Sequence, residues 1–269
     1  MIKHNSPLLL HVPHASTLIP AEELPLFEID DLDDELLKMT DRYCDELFTG
    51  YESVVFPVSR LVCDPERFRS DDLESMSKVG MGAVYTSTSY GSLLRRVTPN
   101  RREALLQRYY DPHHIRLTEA VEKKLSARGY CLIVDGHSFP DPPLPYEAES
   151  LRKRPDFCIG TDRYHTPEVL AKEAAGFLSG KGFSVEFDFP FSGSMVPLKY
   201  YGREPQVYSI MIEINRRLYM DSEGNKNGSF QNVKRTVDEL LGRLSERMED
   251  VLPCRPGKED QNESMIPKA

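Results

Sequence analysis

The sequence predicts one α/β domain built on a mostly parallel or mixed sheet. Two observations carry this prediction. Short apolar runs rich in β-formers recur at Leu8–Val12, Cys131–Val134 and Gln206–Ile214, each bounded by turn residues or by a sudden polar residue. Runs of this length without alternation are what strands buried on both faces look like. Between the strand-like runs lie segments with apolar residues three and four apart, over 31–47, 100–128, 167–179 and finally Val233 to Met248. Alternation of the two patterns over about 250 residues is the mark of the α/β class, and a chain of 269 residues can bury a substantial core.

Composition narrows the function classes. Hydrophobic residues make up 39% and charged residues 29%, within the range of ordinary globular proteins. A net charge of -9 argues against a general nucleic-acid binder, which needs a basic excess. No apolar stretch is long enough to span a bilayer, and the start of the chain lacks the form of a signal peptide. The five cysteines are scattered and never form a Cys-x-x-Cys pair. Reduced core thiols in a cytoplasmic protein are therefore expected, and a cysteine-held structural zinc is not. No phosphate-binding glycine loop is present, so nucleotide binding has no support.

In Leu8-Leu9-Leu10-His11-Val12-Pro13-His14-Ala15-Ser16, Pro13 stops ladder pairing, so His14 is expected where the strand breaks into loop. His11 falls within the strand and reads as structural. From Asp31 an amphipathic helical pattern runs through Leu36, Leu37, Tyr43 and Leu47, with Thr40 placed as the N-cap of a second helical segment. Asp41 and Asp45 then share a helical face. Either is a candidate metal ligand, and either is also explained as an acid favouring the helix dipole.

Val54–Phe56 and Leu61–Cys63 look like strand material, with Arg60 and Arg67 flanking the second. Residues 70–92 are polar, contain glycine and have no regular period; a loop that long in a compact domain is expected to be a lid or part of a pocket. Arg95 and Arg96 follow it. The helix over 100–128 restarts or kinks at Asp111-Pro112, next to His113 and His114.

The stretch Cys131-Leu132-Ile133-Val134-Asp135-Gly136-His137-Ser138 is the focus of the chain. Four apolar residues give way abruptly to an acid, a glycine and an imidazole, and in open α/β sheets chemistry collects beyond the carboxyl ends of strands. Asp135 is suited to orient a metal-bound His137, with Ser138 as a polar contact; a polar cap on a strand-to-loop turn is the plainer reading. His14 and His137, each at a strand end and each followed by small residues, are a start to a zinc site.

Asp156–Thr161 and Phe183–Phe189 are further strands. Glu213 interrupts the last strong one, where a lone carboxylate is costly unless paired or put to use, or unless the strand is an edge with a solvated face. Asn215, Arg216 and Arg217 end that strand. Residues 253–269 are charged, contain three prolines and are expected to be a disordered tail, which leaves 1–252 as the catalytic domain.

Taken in order, several segments resemble the N-formylglutamate amidohydrolase family. They are His11-Val12-Pro13-His14-Ala15-Ser16, the stretch with Asp41 and Asp45, Ser59-Arg60-Leu61-Val62-Cys63-Asp64 with Arg67, and Tyr110-Asp111-Pro112-His113-His114. Asp135-Gly136-His137-Ser138, the strand 156–161 and Glu213-Ile214-Asn215-Arg216-Arg217-Leu218-Tyr219-Met220 complete the set. The resemblance implies a zinc carboxypeptidase-like fold, a central mixed sheet with helices on both faces. It also implies one Zn2+ per chain, held by His14, His137 and a third ligand. A glutamate three residues after the first histidine is the related enzymes' usual choice, but here that residue is Thr17. Asp41 is taken as the third ligand, with Asp45 as its alternative.

By the same resemblance Glu213 is the general base and Arg60 the group that stabilises the oxyanion. Arg67, Arg95, Ser138, Asn215 and Arg216 are expected to bind the substrate. Glu66 stands where the family usually has asparagine before the second arginine, and an acid there weakens carboxylate binding. The implied activity is hydrolysis of a small acidic N-acyl amino acid, N-formylglutamate in histidine degradation. Two alternatives are an amidase for another N-acyl amino acid or small peptide, and a metal-free binding protein of the same fold.

Overall fold

The computed structural model of the chain describes residues 2–147 and 152–251. The tail expected at 253–269 lies outside the described residues. Six strands form one sheet: β1 (Leu8–Val12), β2 (Glu52–Val55), β3 (Cys131–Phe139), β4 (Phe157–Gly160), β5 (Val185–Phe187) and β6 (Val207–Asn215). Their spatial order is β2-β1-β3-β6-β4-β5, parallel throughout except where β4 meets β6. The helices are α1 (Leu32–Met39), α2 (Cys44–Leu47), α3 (Pro99–Leu105), α4 (Asp111–Arg128), α5 (Glu168–Gly180) and α6 (Phe230–Val251). No described helix is long and apolar enough to cross a membrane. The four described cysteines, Cys44, Cys63, Cys131 and Cys158, are buried and unbridged.

Because strand side chains alternate between faces, each buried strand feeds two cores. Leu8, Leu10 and Val12, Leu132 and Val134, and Ile210, Ile212 and Ile214 pack with α2, α5 and α6. Leu9, Cys131, Ile133 and Val207 point the other way, against Leu117 and Val121 of α4. Helices thus cover both faces, which is why the central strands read as unbroken apolar runs. Val233, Val237, Leu240, Leu241, Leu244 and Met248 make the buried stripe of α6, spaced as one helical face requires.

Several local expectations need correction. Leu61–Cys63 is not a strand: the Val62 and Cys63 amides turn back onto Ser59 O, and the Arg95 guanidinium takes up the carbonyls of Leu61 and Val62. The pattern over 31–47 is not continuous helix. Thr40 caps the end of α1 by donating its amide to Leu36 O, and Tyr43 adopts left-handed backbone (φ 68°), so Asp41 lies in the link between α1 and α2. At Pro112, which has no amide hydrogen to give, the chain passes through a π-helical turn, 106–110, instead of breaking. The long segment 70–92 holds a short 3-10 helix, Ser75–Val79, capped by the Glu74 side chain, and it buries Met81 and Tyr85. It is packed, and supplies Met76 to the cavity described below.

β3 runs five residues beyond Val134, to Phe139, pairing with β6 over its whole length. Gly136 sits in this extension, where a Cβ would lie 2.6 Å from the Phe48 ring. The glycine lets Phe48 seat against the strand beside His137. Gly136→Ala is expected to destabilise the protein by about 1–3 kcal/mol through overpacking, read as a lower denaturant midpoint at unchanged slope.

Candidate active site

Strand alternation decides which side chains meet. On β3, Asp135 and His137 share the face of Cys131 and Ile133; on β6, Glu213 is on the face opposite Ile212 and Ile214; on β1, His11 is on the face of Leu9. All four therefore project to the side covered by α4. Register aligns them, with His11 opposite Asp135 and His137 opposite Glu213. His14 comes two residues after β1, and the Asp41 amide donates to His14 O at 3.0 Å, which ties the α1–α2 link to that strand end. The result is a cavity of about 490 Å³ lined by His14, Asp41, Arg60, Glu66, Arg67, His137, Ser138 and Glu213, among others. That is a typical size for a small-molecule site.

Within it His14, Asp41 and His137 stand close enough to share one metal ion, and His11, Glu66 and Asp135 form an adjoining group. His14 Nε2 donates to Asp64 Oδ1 at 2.8 Å. Burial pushes the Asp64 carboxyl up, but Arg60 and His14 outweigh it and hold the group well below the usual carboxylate range. Arg60 reaches Asp64 through Nε and Nη2, and Tyr85 donates to the same Oδ2.

His137 Nδ1 donates to Asp41 Oδ2 at 3.1 Å. Arg216 Nη2 donates to Asp41 Oδ1 at 2.9 Å, so against the cost of its burial the Asp41 carboxyl is held low by His137, His14 and Arg216. His137 itself is raised well above the ordinary histidine range: burial opposes its charge, but Glu66 and Asp135 prevail. Asp135 Oδ1 accepts from His11 Nδ1 at 2.8 Å and Oδ2 accepts the Met195 amide. His11 Nε2 lies 2.8 Å from His113 Nε2; burial first, and then the neighbouring histidines, depress His113 to about 2. His113 is thus neutral and backs His11 as a donor.

Three buried polar atoms at this point lack a hydrogen-bond partner among the described residues: His14 Nδ1, His137 Nε2 and Glu213 Oε2. His137 Nε2 is 3.1 Å from both Asp135 Oδ1 and Glu66 Oε2, but neither contact has hydrogen-bond alignment. Two buried imidazole nitrogens left unpaired beside carboxylates match what a divalent cation takes as ligands. β6 is an interior strand, so the solvated-edge explanation for Glu213 fails.

The sequence matches the N-formylglutamate amidohydrolase pattern over residues 6–220. The chain belongs to the N-formylglutamate amidohydrolase family. An N-formylglutamate amidohydrolase from Ralstonia eutropha is similar in structure, with 24% identity, a TM-score of 0.82, and coverage of 94% of this chain and 98% of that one. A gene product of Agrobacterium tumefaciens is similar at 22% identity and a TM-score of 0.64, covering 91% of this chain and 92% of that one. No curated protein matches the chain.

Of the family-derived site residues, His14, Asp41, Arg60, Arg67, His137, Ser138, Glu213 and Arg216 line the cavity. Others are placed elsewhere. Arg95 is buried outside it, with Nε on the carbonyl of Tyr85 and Nη2 on those of Leu61 and Val62, and so braces the 61–63 turn. Asn215 is also outside, binding Asp141 and Pro155 O. Asp45 is exposed on α2 and lies outside the cavity. Arg216 reaches the site but is fully engaged by Ser138, Lys38 O and Asp41, so it positions Asp41. By contrast Arg67, which lines the cavity, makes one hydrogen bond among the described residues, from Nε to Met81 O. The sequence gives Asp64 and His113 no role, marks His11 as structural, and marks Glu66 only as an acid that weakens carboxylate binding. The acidic pair beside Arg67 was a visible signal for Asp64 and Glu66; only packing brings His113 to His11.

Glu213 is pushed up to about 8, chiefly by burial and then by Asp41 and Glu66, despite the opposing charge of His137. A carboxyl raised on folding stabilises the fold below its ordinary value of 4.5 and loses that contribution as pH rises toward 8. With chelator present, Glu213→Gln is therefore expected to flatten the fall in melting temperature between pH 5 and about 8. Parallel wild-type and variant curves over that window would show that Glu213 does not take up charge there.

Proposed function

We propose that the chain is a metal-dependent amidohydrolase of small N-acyl amino acids, with N-formylglutamate as its first candidate substrate. The observation that carries this reading is the pair of unpaired ring nitrogens, His14 Nδ1 and His137 Nε2, set beside carboxylates in one cavity with an unpaired Glu213 oxygen. Family membership supports the choice of acyl group.

The two histidines and a carboxylate, with Asp41 and Glu66 both in reach, would hold a divalent ion; Zn2+ fits that mixed nitrogen and oxygen donor set. Bound there, the ion would polarise the scissile carbonyl and acidify a water molecule. Asp64 and Asp41 fix the two imidazole rings by taking their other N–H groups. Glu213, as the carboxylate, takes a proton from the attacking water at Oε2 and returns it to the departing amine nitrogen. Arg60, anchored on Asp64, presents its remaining Nη1 as a donor for the oxyanion. The Arg67 fork suits a substrate carboxylate. Water and amide become carboxylic acid and free amine, with no further reactant.

Glu213→Gln is expected to fold, keep its metal and lower kcat by about a hundredfold to ten-thousandfold, with KM little changed. Arg67→Ala is expected to act chiefly on KM for acidic substrates. A panel of N-formyl, N-acetyl and N-succinyl amino acids gives the acyl preference. Preference for a bulkier acyl group would move the assignment to the neighbouring amidase reading, for which a 490 Å³ cavity leaves room. Turnover unaffected by chelation would end the metal-dependent one.

A further inference from the structure

We infer that Glu66, not Asp41, is the carboxylate that binds the metal ion directly. This rests on the metal-dependent reading above and assigns its third protein ligand. Each histidine of the pair has already committed one ring nitrogen to a buried acid, His14 Nε2 to Asp64 and His137 Nδ1 to Asp41. A carboxylate beside those nitrogens accepts, so they carry the hydrogens and the other nitrogens are the ones available to an ion. Those other nitrogens, His14 Nδ1 and His137 Nε2, are the two left without partners.

Both converge on one atom. Glu66 Oε2 lies 3.7 Å from His14 Nδ1 and 3.1 Å from His137 Nε2. Ligand atoms on a tetrahedral ion with bonds near 2.1 Å stand about 3.4 Å apart, and the two distances bracket that value. The Glu66 carboxylate accepts no hydrogen bond among the described residues, so its lone pairs are unspent.

Asp41 Oδ2 stands at similar distances, 3.8 Å from His14 Nδ1 and 3.1 Å from His137 Nδ1, but it reaches His137 through the nitrogen that already has a partner. That nitrogen is on the other side of the ring from the unpaired one, and the in-plane lone pairs of one imidazole cannot both point at the same ion. Asp41 Oδ1 is taken by Arg216. A centre using Asp41 and His137 Nδ1 would put the ring's hydrogen on Nε2, 3.1 Å from Glu66 and Asp135 but without the alignment of a hydrogen bond to either. Asp41 instead holds the ring of His137 from behind, as a carboxylate does in a carboxylate–histidine–metal arrangement, and Asp64 does the same for His14.

Isosteric amides separate the two roles. In Asp41→Asn the side-chain oxygen can still accept from His137 Nδ1, whereas Glu66→Gln replaces a charged ligand by a weak one. Zn2+ is titrated into each metal-free protein against a competing chelator, with folding followed by circular dichroism. Visible spectra of the Co2+-loaded forms give a second readout that does not depend on activity. Asp41→Asn is expected to weaken Zn2+ by no more than about 10- to 100-fold, the range for a supporting partner, and to keep the wild-type Co2+ bands. Glu66→Gln is expected to weaken Zn2+ beyond that range and to alter the bands. Equal or greater loss in Asp41→Asn, or retention of tight Zn2+ by Glu66→Gln, overturns the assignment. Tight Zn2+ binding that survives His137→Ala, or none in the wild type, overturns the metal-dependent reading as well, and so is told apart from an error in the ligand alone.

Discussion

The parallel pairing of β3 with β6 is the constraint on which the site depends. It holds from Cys131 opposite Val207 to Phe139 opposite Asn215 and carries the ladder past the apolar half of both strands. A register shift by one residue would send His137 and Glu213 to opposite faces. That shift is blocked by the cores themselves, because Leu132, Val134, Ile210, Ile212 and Ile214 would have to exchange faces too. Hydrophobic burial therefore fixes the position of groups that are not hydrophobic.

Those groups are expensive where they stand. Asp41, Asp64, Asp135 and Glu213 are nearly inaccessible, and a buried carboxylate is tolerated when it is paired and hydrogen-bonded. Asp64 has Arg60, Tyr85 and His14; Asp41 has Arg216 and His137; Asp135 has His11 and the Met195 amide. Glu213 alone has an oxygen left over, and it is the group whose proton affinity rises into the physiological range. The contrast sets three acids whose oxygens are held by neighbours apart from one whose oxygen is unpartnered and whose proton affinity is raised.

The arginines divide in the same way. Arg95 and Arg216 are consumed by carbonyls and acids and serve the scaffold, the first at the 61–63 turn and the second at Asp41. Arg67 and Arg60 line the cavity. Residue type gave no way to tell these apart, since the distinction lies in where each guanidinium is packed and which groups it meets there.

The sequence by itself determined the α/β class, the interior strands and the amphipathic stripe of α6, because apolar periodicity is a local consequence of which faces are buried. It also marked His14, His137 and Glu213, each a polar residue at or within an apolar run, where burial has to be compensated. It did not determine where β3 ends: Asp135 to Phe139 looks like a turn locally, and it is strand because β6 supplies the ladder partners. Nor did it place Asp41 in a link instead of a helix, a choice made by the left-handed turn at Tyr43 and the bond to His14 O. Which carboxylates stand beside which ring nitrogens, and so the place of Glu66 between His14 and His137, was decided only by the tertiary structure. Those contacts join residues 50 to 96 positions apart, and their geometry exists only once the strands and loops that carry them are packed together.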